Sequence, residues 1–175
     1  MVVTMQNVYE MMGLPGSGKT TWAKEKAEET GAIIIGRDDI RHMLKHSHSY
    51  DSSEKNQKYV WDVSQFMIKE ALQRGFDVIL DQMSLTKISR IETLDLIREY
   101  APMAKVTLVW CSEDRQNVDR RMNSEMAWGD REYYVKLIKD LKMSIAVPEY
   151  YEGYDEIIHI PGEIERKRFE VKSLK

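Results

Sequence analysis

One run of eight residues constrains this chain more than any other feature of its sequence. It reads Gly13-Leu14-Pro15-Gly16-Ser17-Gly18-Lys19-Thr20 and matches the phosphate-binding pattern G-x-x-x-x-G-K-[ST] in full. A β-rich segment at residues 8–12 precedes the run, and a helical segment beginning at Lys19 follows it. Phosphate-binding loops with this pattern lie between a strand and a helix, so the sequence predicts a nucleotide-binding loop here.

Each part of the loop has a chemical role in holding a nucleoside triphosphate. The glycines let successive backbone N–H groups point at phosphate oxygens, and the helix N-terminus adds a partial positive charge. We expect Lys19 to reach the β- and γ-phosphates, the Thr20 hydroxyl to bind Mg²⁺ and Thr21 to hydrogen-bond the α-phosphate. The sequence therefore predicts ATP and Mg²⁺ as cofactors, with residues 13–21 as the ATP-binding segment.

Short apolar runs alternate with longer helical stretches along the rest of the chain, which is typical of a parallel α/β sheet. The predicted strands cover residues 8–12, 32–35, 78–80, 106–110 and 156–160. Apolar residues at helical spacing predict helices near 19–29, 60–71, 88–97 and 134–145. Glu10 interrupts the first strand, so it either lies where the sheet meets solvent or pairs with a cation.

This pattern predicts an α/β, three-layer P-loop kinase fold with a parallel sheet of about five strands and helices on both faces. We expect residues 1–175 to form a single domain. A helical lid is expected near residues 113–135, and a short C-terminal extension at 161–175.

Charge and cysteine content narrow the classes of protein. The net charge of −3 argues against a broad basic surface that coats nucleic acid, although it is compatible with a narrow basic channel. Cys111 is the single cysteine, so we expect neither an intrachain disulfide nor a cysteine zinc site. With no predicted leader or membrane span, we expect a cytoplasmic protein without a membrane partner, whether or not it forms oligomers.

Carboxylates follow the second and third predicted strands. Ligands of an open parallel sheet bind at the carboxyl ends of its strands, so these side chains are expected to face the γ-phosphate region. Asp38 is the candidate base for a hydroxyl acceptor, and Asp39 is interpreted as a helix cap or structural residue. Asp81 is expected to bind Mg²⁺ through water or to orient a neighbouring group.

Two further side chains near these carboxylates are candidate substrate contacts. Arg41, one turn after Asp38, can hold an anionic part of the substrate through a bidentate contact. Gln82 follows Asp81 directly and can donate a hydrogen bond to phosphate or substrate. The predicted substrate-binding set is therefore Asp38, Arg41, Asp81 and Gln82.

These motifs together resemble the kinase domain of the phage-type polynucleotide 5′-hydroxyl kinases. The resemblance rests on the loop with Trp22, on Arg37-Asp38-Asp39-x-Arg41, on Asp81 and on the lid-like segment Arg121-Met122-Asn123-Ser124. It implies transfer of the γ-phosphoryl group of ATP to the 5′-hydroxyl of DNA or RNA. In that family, the residue matching Asp38 is the general base. The residue matching Arg41 grips the phosphate next to the 5′ nucleoside, and the one matching Asp81 orients that arginine.

The sequence also departs from that family. The family carries an arginine shortly after the Asn-Ser pair, where this chain has Glu125-Met126. Arg121 or its neighbour Arg120 is the nearest candidate for a catalytic lid arginine, and Arg115 and Arg131 are further options. No Asp-x-Asp-Gly motif is present, so the phosphatase activity of the phage enzyme is not expected. Two alternatives stay open: a small-molecule kinase acting on a nucleoside, nucleotide or other alcohol, and an ATP-binding switch protein without an acceptor.

Overall fold

The computed structural model describes residues 5–45, 53–113 and 131–162. Within these residues five strands form one sheet: β1 (Asn7–Met12), β2 (Ile33–Gly36), β3 (Val78–Asp81), β4 (Lys105–Cys111) and β5 (Glu156–Ile160). All neighbouring strands are parallel, in the order β2-β3-β1-β4-β5. The predicted parallel sheet is confirmed, and each predicted strand lies within a residue or two of an observed one.

The helices are α1 (Lys19–Thr30), α2 (Arg37–Lys45), α3 (Glu54–Gln73), α4 (Lys87–Tyr100) and α5 (Arg131–Met143). A short 3-10 turn at Tyr150–Glu152 precedes β5. The apolar spacing gave no bounds for α2, because Ile40 is the only buried apolar residue among its described side chains. The interpretation of Asp39 as a helix cap implied a helix here, but Asp39 lies within the first turn of α2 and not at its cap. The last predicted helix ends earlier than expected, at Met143, although Ile145 beyond it still packs against the core.

Helix α4 lies where the sequence predicts a helix, but its buried face differs from the expected one. The apolar pattern placed Ile88 and Ile91 on that face, yet both are exposed. Arg90 and Thr93 are buried there instead, together with Leu94 and Ile97. The pattern was misleading because the charged residue Arg90 occupies a core position, where it forms an ion pair with Glu152.

Side chains alternate between the two faces of the sheet and build two apolar layers. On one face, β1 and β3 pack against α3 and α4 through a cluster that includes Val8, Leu80 and Leu94. On the other face, a second cluster includes Met11, Ile79 and Ala23 of α1. Helices therefore cover both faces of the sheet, which confirms the three-layer arrangement.

The carboxyl ends of the parallel strands meet at one edge of the sheet. The β1–α1 loop, the start of α2 and the residues after β3 all lie there, because each follows the carboxyl end of a parallel strand. Gly36 at the end of β2 pairs in register with Asp81 at the end of β3. Most of the predicted lid, residues 114–130 with Arg121 and Arg120, lies outside the described residues, as do residues 163–175 of the predicted extension. None of the described helices is both long and apolar enough to cross a membrane.

Candidate active site

The loop between β1 and α1 has a backbone that glycine makes possible. Gly13, Gly16 and Gly18 have φ angles of 150°, 79° and 93°, a region that other residues rarely adopt. At Gly13 space is also limiting, because a Cβ would lie 2.5 Å from the carbonyl oxygen of Cys111 and 2.6 Å from Ser17 Oγ. Cys111 itself is buried, and burial raises the pKa of its thiol to about 11.

Two polar side chains of the loop are buried within it. Lys19 Nζ donates to the carbonyl oxygen of Leu14 at 2.8 Å. Ser17 is 7% exposed, and its hydroxyl has no hydrogen-bond partner in the part of the chain that the structure describes. Buried hydroxyls usually have a partner, so this one is suited to a bound group that supplies oxygen acceptors. The loop therefore fits the phosphates of a nucleoside triphosphate.

Thr20 and Asp81 meet at the end of the loop. The Thr20 hydroxyl donates to Asp81 Oδ2 at 2.7 Å. Burial raises the pKa of Asp81 above its ordinary value, the Thr20 hydrogen bond and the charge of Lys19 oppose this, and the nearby carboxylates of Asp39 and Asp38 add to it. Hydroxyl, carboxylate and water oxygens are the ligands that Mg²⁺ prefers, so Thr20 and Asp81 are the residues that fit this ion.

Asp38 and Arg41 form an ion pair at the start of α2. Asp38 Oδ1 accepts from Arg41 Nη1 at 2.7 Å, and the Asp38 side chain is 55% exposed. Arg41 Nη2 also donates to Gln57 Oε1 of α3 at 2.6 Å. The Asp39 carboxylate lies over Gly36, where an added Cβ would be 2.6 Å from Oδ2. Both carboxylates are exposed at this edge of the sheet, and that of Asp38 is held by the Arg41 guanidinium.

The side chain of Gln82 makes its contacts within the protein. Its Oε1 accepts from Arg37 Nη2 at 2.8 Å, and its Nε2 donates to Glu10 Oε1 at 3.0 Å and to Thr93 Oγ1 at 3.1 Å. Asp81 and Gln82 are adjacent and face opposite sides of the sheet. Asp81 is on the side of α1 and the loop, whereas Gln82 is on the side of α4. The contact between Gln82 and Arg37 was not part of the sequence prediction.

Glu10 is buried in the middle of β1, so the expectation that it lies where the sheet meets solvent is wrong. It accepts hydrogen bonds from Ser84 Oγ at 2.5 Å and from the Tyr154 hydroxyl at 2.7 Å, besides that from Gln82. Burial raises the pKa of Glu10 to about 7, while these three hydrogen bonds and the positive charge of Arg90 act in the opposite direction. Glu10 is therefore a buried acid within a polar network behind the site.

A buried ion pair supports this network. Arg90 on α4 donates through Nε and Nη2 to the two carboxylate oxygens of Glu152 at 2.7 and 2.8 Å, and both side chains are fully buried. Arg90 Nη1 also donates to the carbonyl oxygens of Ser84 and Leu85. The pair ties the 3-10 turn to α4 and so places Tyr154 where it reaches Glu10. Sequence reasoning missed it, although the spacing of Arg90 from Leu94 is a signal for a buried position.

The fold and the loop define a protein of the P-loop kinase-like class, with a nucleotide-binding site at the carboxyl edge of a parallel sheet. More particularly, the chain belongs to the AAA_33 family, an AAA domain whose model matches residues 8–137. That segment contains the loop, Asp38, Arg41 and Asp81. No curated protein matches the chain significantly.

Several solved structures share the fold at low sequence identity. A protein classed as a kinase from Chloroflexus aurantiacus has a TM-score of 0.68 and 14% identity, covering 97% of this chain and 98% of that chain. APS kinase CysC of Mycobacterium tuberculosis has a TM-score of 0.59 and 19% identity, covering 97% of each chain. A chain of the Pnkp1/Rnl/Hen1 RNA repair complex has a TM-score of 0.62 and 19% identity, covering 83% of this chain and 50% of that chain. At these identities the likeness establishes the fold.

Proposed function

We propose that the protein is an ATP-dependent phosphotransferase that moves the γ-phosphoryl group of ATP to the 5′-hydroxyl of a polynucleotide. The observation that carries the proposal is the Asp38–Arg41 pair, with 2.7 Å between its charged atoms, beside the phosphate-binding loop. A hydroxyl acceptor needs a base for its proton, and a polynucleotide acceptor also needs a cation for the phosphate that follows its first nucleoside. Asp38 supplies the base and Arg41 supplies the cation.

In this proposal Lys19 and the loop backbone hold the ATP phosphates, and Thr20 and Asp81 hold Mg²⁺. The ion, when bound, neutralises charge on the phosphate oxygens. An Asp38 carboxylate oxygen takes the proton of the acceptor hydroxyl as the new oxygen–phosphorus bond forms. The bond between the γ-phosphorus and the bridging oxygen breaks, and ADP leaves with the electron pair. Arg121 is the proposed lid arginine, and residues 1–175 are taken as one catalytic domain.

A small-molecule kinase is the second candidate, and two observations favour it. The net charge of the protein is −3, whereas a protein surface that binds a polynucleotide is usually basic. In addition, the likeness to APS kinase covers 97% of each chain. In this alternative Asp38 keeps its role as base and Arg41 binds an anionic group of a small acceptor.

The test is transfer of labelled γ-phosphate from ATP, with Mg²⁺, to a 5′-hydroxyl oligonucleotide and separately to nucleosides and nucleoside monophosphates. We expect labelled oligonucleotide, no label with Lys19→Ala, and a rate about 10²–10⁴-fold lower with Asp38→Asn. Asp95→Asn is the matched control, because Asp95 is exposed on α4, and it should keep the wild-type rate.

Other outcomes identify the alternatives. Label found only on a small acceptor, with a Michaelis constant that does not change with ionic strength, would establish the small-molecule kinase instead. Slow ATP hydrolysis that labels no acceptor and is unaltered in Asp38→Asn would indicate the switch protein.

A further inference from the structure

A line of side-chain hydrogen bonds runs from the core to the edge of the sheet that carries the site. It begins at Glu10 in β1, passes through the amide of Gln82 after β3 and ends at the guanidinium of Arg37 at the start of α2. The two links measure 3.0 and 2.8 Å. Neither Glu10 nor Arg37 has a role in the transfer reaction proposed above, which leaves the function of this line of hydrogen bonds to be explained.

The orientation of the Gln82 amide is determined by its buried neighbours. Its Nε2 faces Glu10 Oε1 and Thr93 Oγ1. Thr93 Oγ1 donates its own proton to the carbonyl oxygen of Ser89 at 2.9 Å, so towards Gln82 it acts as an acceptor. A flipped amide would place its carbonyl oxygen against two acceptors and its N–H groups against a guanidinium. The amide oxygen therefore has to face Arg37.

Arg37 is held at the edge of the sheet that carries Asp38. It is the first residue of α2 and directly follows Gly36, which pairs in register with Asp81. Its guanidinium carbon lies 4.5 Å from the ring centroid of Trp61 on α3, so Trp61 and Gln82 hold the group from two directions. A stacked and hydrogen-bonded guanidinium has few conformations left, which favours binding to a planar or tetrahedral anion.

Arg37 and Arg41 are related by one helical turn. Residues four apart project from the same side of a helix, and Asp38 lies between these two in sequence. Both arginines contact α3, Arg37 through Trp61 and Arg41 through Gln57, which are themselves one turn apart. The candidate base is thus accompanied by two guanidinium groups that are both anchored on α3.

We propose that Arg37 is a second phosphate-binding arginine of the acceptor site, and that Gln82 and Glu10 are positioning residues that hold it there. The inference rests on the proposed function, because it assigns the site an acceptor whose first nucleoside carries a 3′-phosphate. Arg41 and Arg37 together select such acceptors over those without a phosphate. Gln82 and Glu10 act through Arg37 and do not touch the acceptor.

The first test measures binding without ATP, by calorimetry, of a nucleoside 3′-monophosphate and of the same nucleoside without phosphate. Arg37→Gln should weaken binding of the monophosphate about 10- to 100-fold, the effect of losing a hydrogen bond to a charged group, and leave nucleoside binding unchanged. Arg74→Gln is the control, because Arg74 is exposed at the end of α3, away from the site. Monophosphate affinity within twofold of wild type in Arg37→Gln would overturn the proposal.

The second test separates positioning from general stabilisation. Gln82→Leu should weaken monophosphate binding in the same direction, and the double variant with Arg37→Gln should bind no more weakly than Arg37→Gln alone. Glu10→Gln keeps the shape of the side chain and should give a smaller shift of the same sign. A purely structural role would lower the melting temperature without distinguishing the two ligands. Independent, additive losses in the double variant would remove Gln82 and Glu10 from the proposal.

Failure of this inference is distinguishable from failure of the proposed function. Wild-type protein that labels no polynucleotide, yet binds the monophosphate in an Arg37-dependent way, would reject the transfer reaction and support the phosphate site. Equal labelling of the oligonucleotide by the wild type and by Arg37→Gln would reject the phosphate site alone. No binding of the monophosphate by the wild type would also overturn it.

Discussion

The hydroxyl of Thr20 donates a hydrogen bond to Oδ2 of Asp81, and this bond joins the first turn of α1 to the end of β3. The two residues are far apart in the sequence but meet because β1 and β3 are neighbouring strands of a parallel sheet. The two candidate Mg²⁺ contacts are thus already adjacent, so little rearrangement of the chain is needed to present both oxygens to an ion.

This relationship predicts the effect of Asp81→Asn. An amide in place of the carboxylate removes the negative charge opposite Thr20, so the Mg²⁺ concentration for half-maximal transfer should rise about 10- to 100-fold. The measurement is the rate of phosphoryl transfer against Mg²⁺ concentration, with Asp95→Asn as the control for loss of one carboxylate. An unchanged Mg²⁺ requirement would show that Asp81 does not act on the ion.

Gly13→Ala should destabilise the fold by about 2–5 kcal/mol, because the substitution adds backbone strain to a steric clash with the Cys111 carbonyl and Ser17. Gly31→Ala is the matched comparison. Gly31 also has a positive φ, of 75°, but an added Cβ meets no atom within 4 Å, so the cost should be about 1–2 kcal/mol. Urea denaturation of both variants measures the difference. Equal costs would mean that the close approach to β4 relaxes freely.

The pKa of Glu10 makes stability depend on pH. Its ordinary value is 4.5 and burial raises it to about 7, so the folded state binds a proton more tightly than the unfolded state. The free energy of unfolding should therefore fall as pH rises from about 4.5 to about 7, by about 3 kcal/mol in total for this group. Glu10→Gln should flatten this slope, and the exposed Glu28→Gln should leave it as in the wild type. Denaturation at pH 5, 6, 7 and 8 tests this, and an unchanged slope in Glu10→Gln would contradict it.

Glu152→Ala should destabilise the protein by about 3–5 kcal/mol, since it leaves the buried Arg90 guanidinium without its bidentate partner. The comparison is Glu70→Ala, which removes an exposed pair with Arg74 and should cost less than about 1 kcal/mol. Thermal and chemical denaturation of both variants give the values. A loss of similar size in the two would mean that Arg90 reaches water when Glu152 is absent.

The sheet and the phosphate-binding loop were predictable because both depend on short stretches of sequence. The strands are compact apolar runs, and the loop pattern fixes glycine, lysine and threonine at set positions within eight residues. The bounds of α2 were not predictable from apolar spacing, because its single buried apolar side chain, Ile40, leaves no periodic pattern. Asp38 was nevertheless identified as a candidate, since its position after β2 is sufficient to place it at the carboxyl edge.

The polar network behind the site could not be predicted from local pattern. Glu10 contacts Ser84 and Tyr154, which lie 74 and 144 residues away in sequence. Such contacts depend on strand order, and strand order was not specified by any one segment. The Gln82 amide shows the same limit, because its neighbour Asp81 faces the opposite side of the sheet and indicates nothing about its partners.

The thiol of Cys111, buried in the apolar layer between the sheet and α1, is an intrinsic probe of opening beside the nucleotide loop, because the Cys111 carbonyl oxygen adjoins Gly13. Thiol reagents react with the thiolate, and a raised pKa together with burial leaves almost none accessible while the loop is packed on β4. Since the chain has one cysteine, any alkylation of the native protein reports a moment at which this layer has opened. A nucleotide that binds the closed loop should slow that alkylation, by the factor with which it favours the closed form. The rate of Cys111 alkylation, followed as the increase in protein mass, would then measure nucleotide affinity without any engineered label.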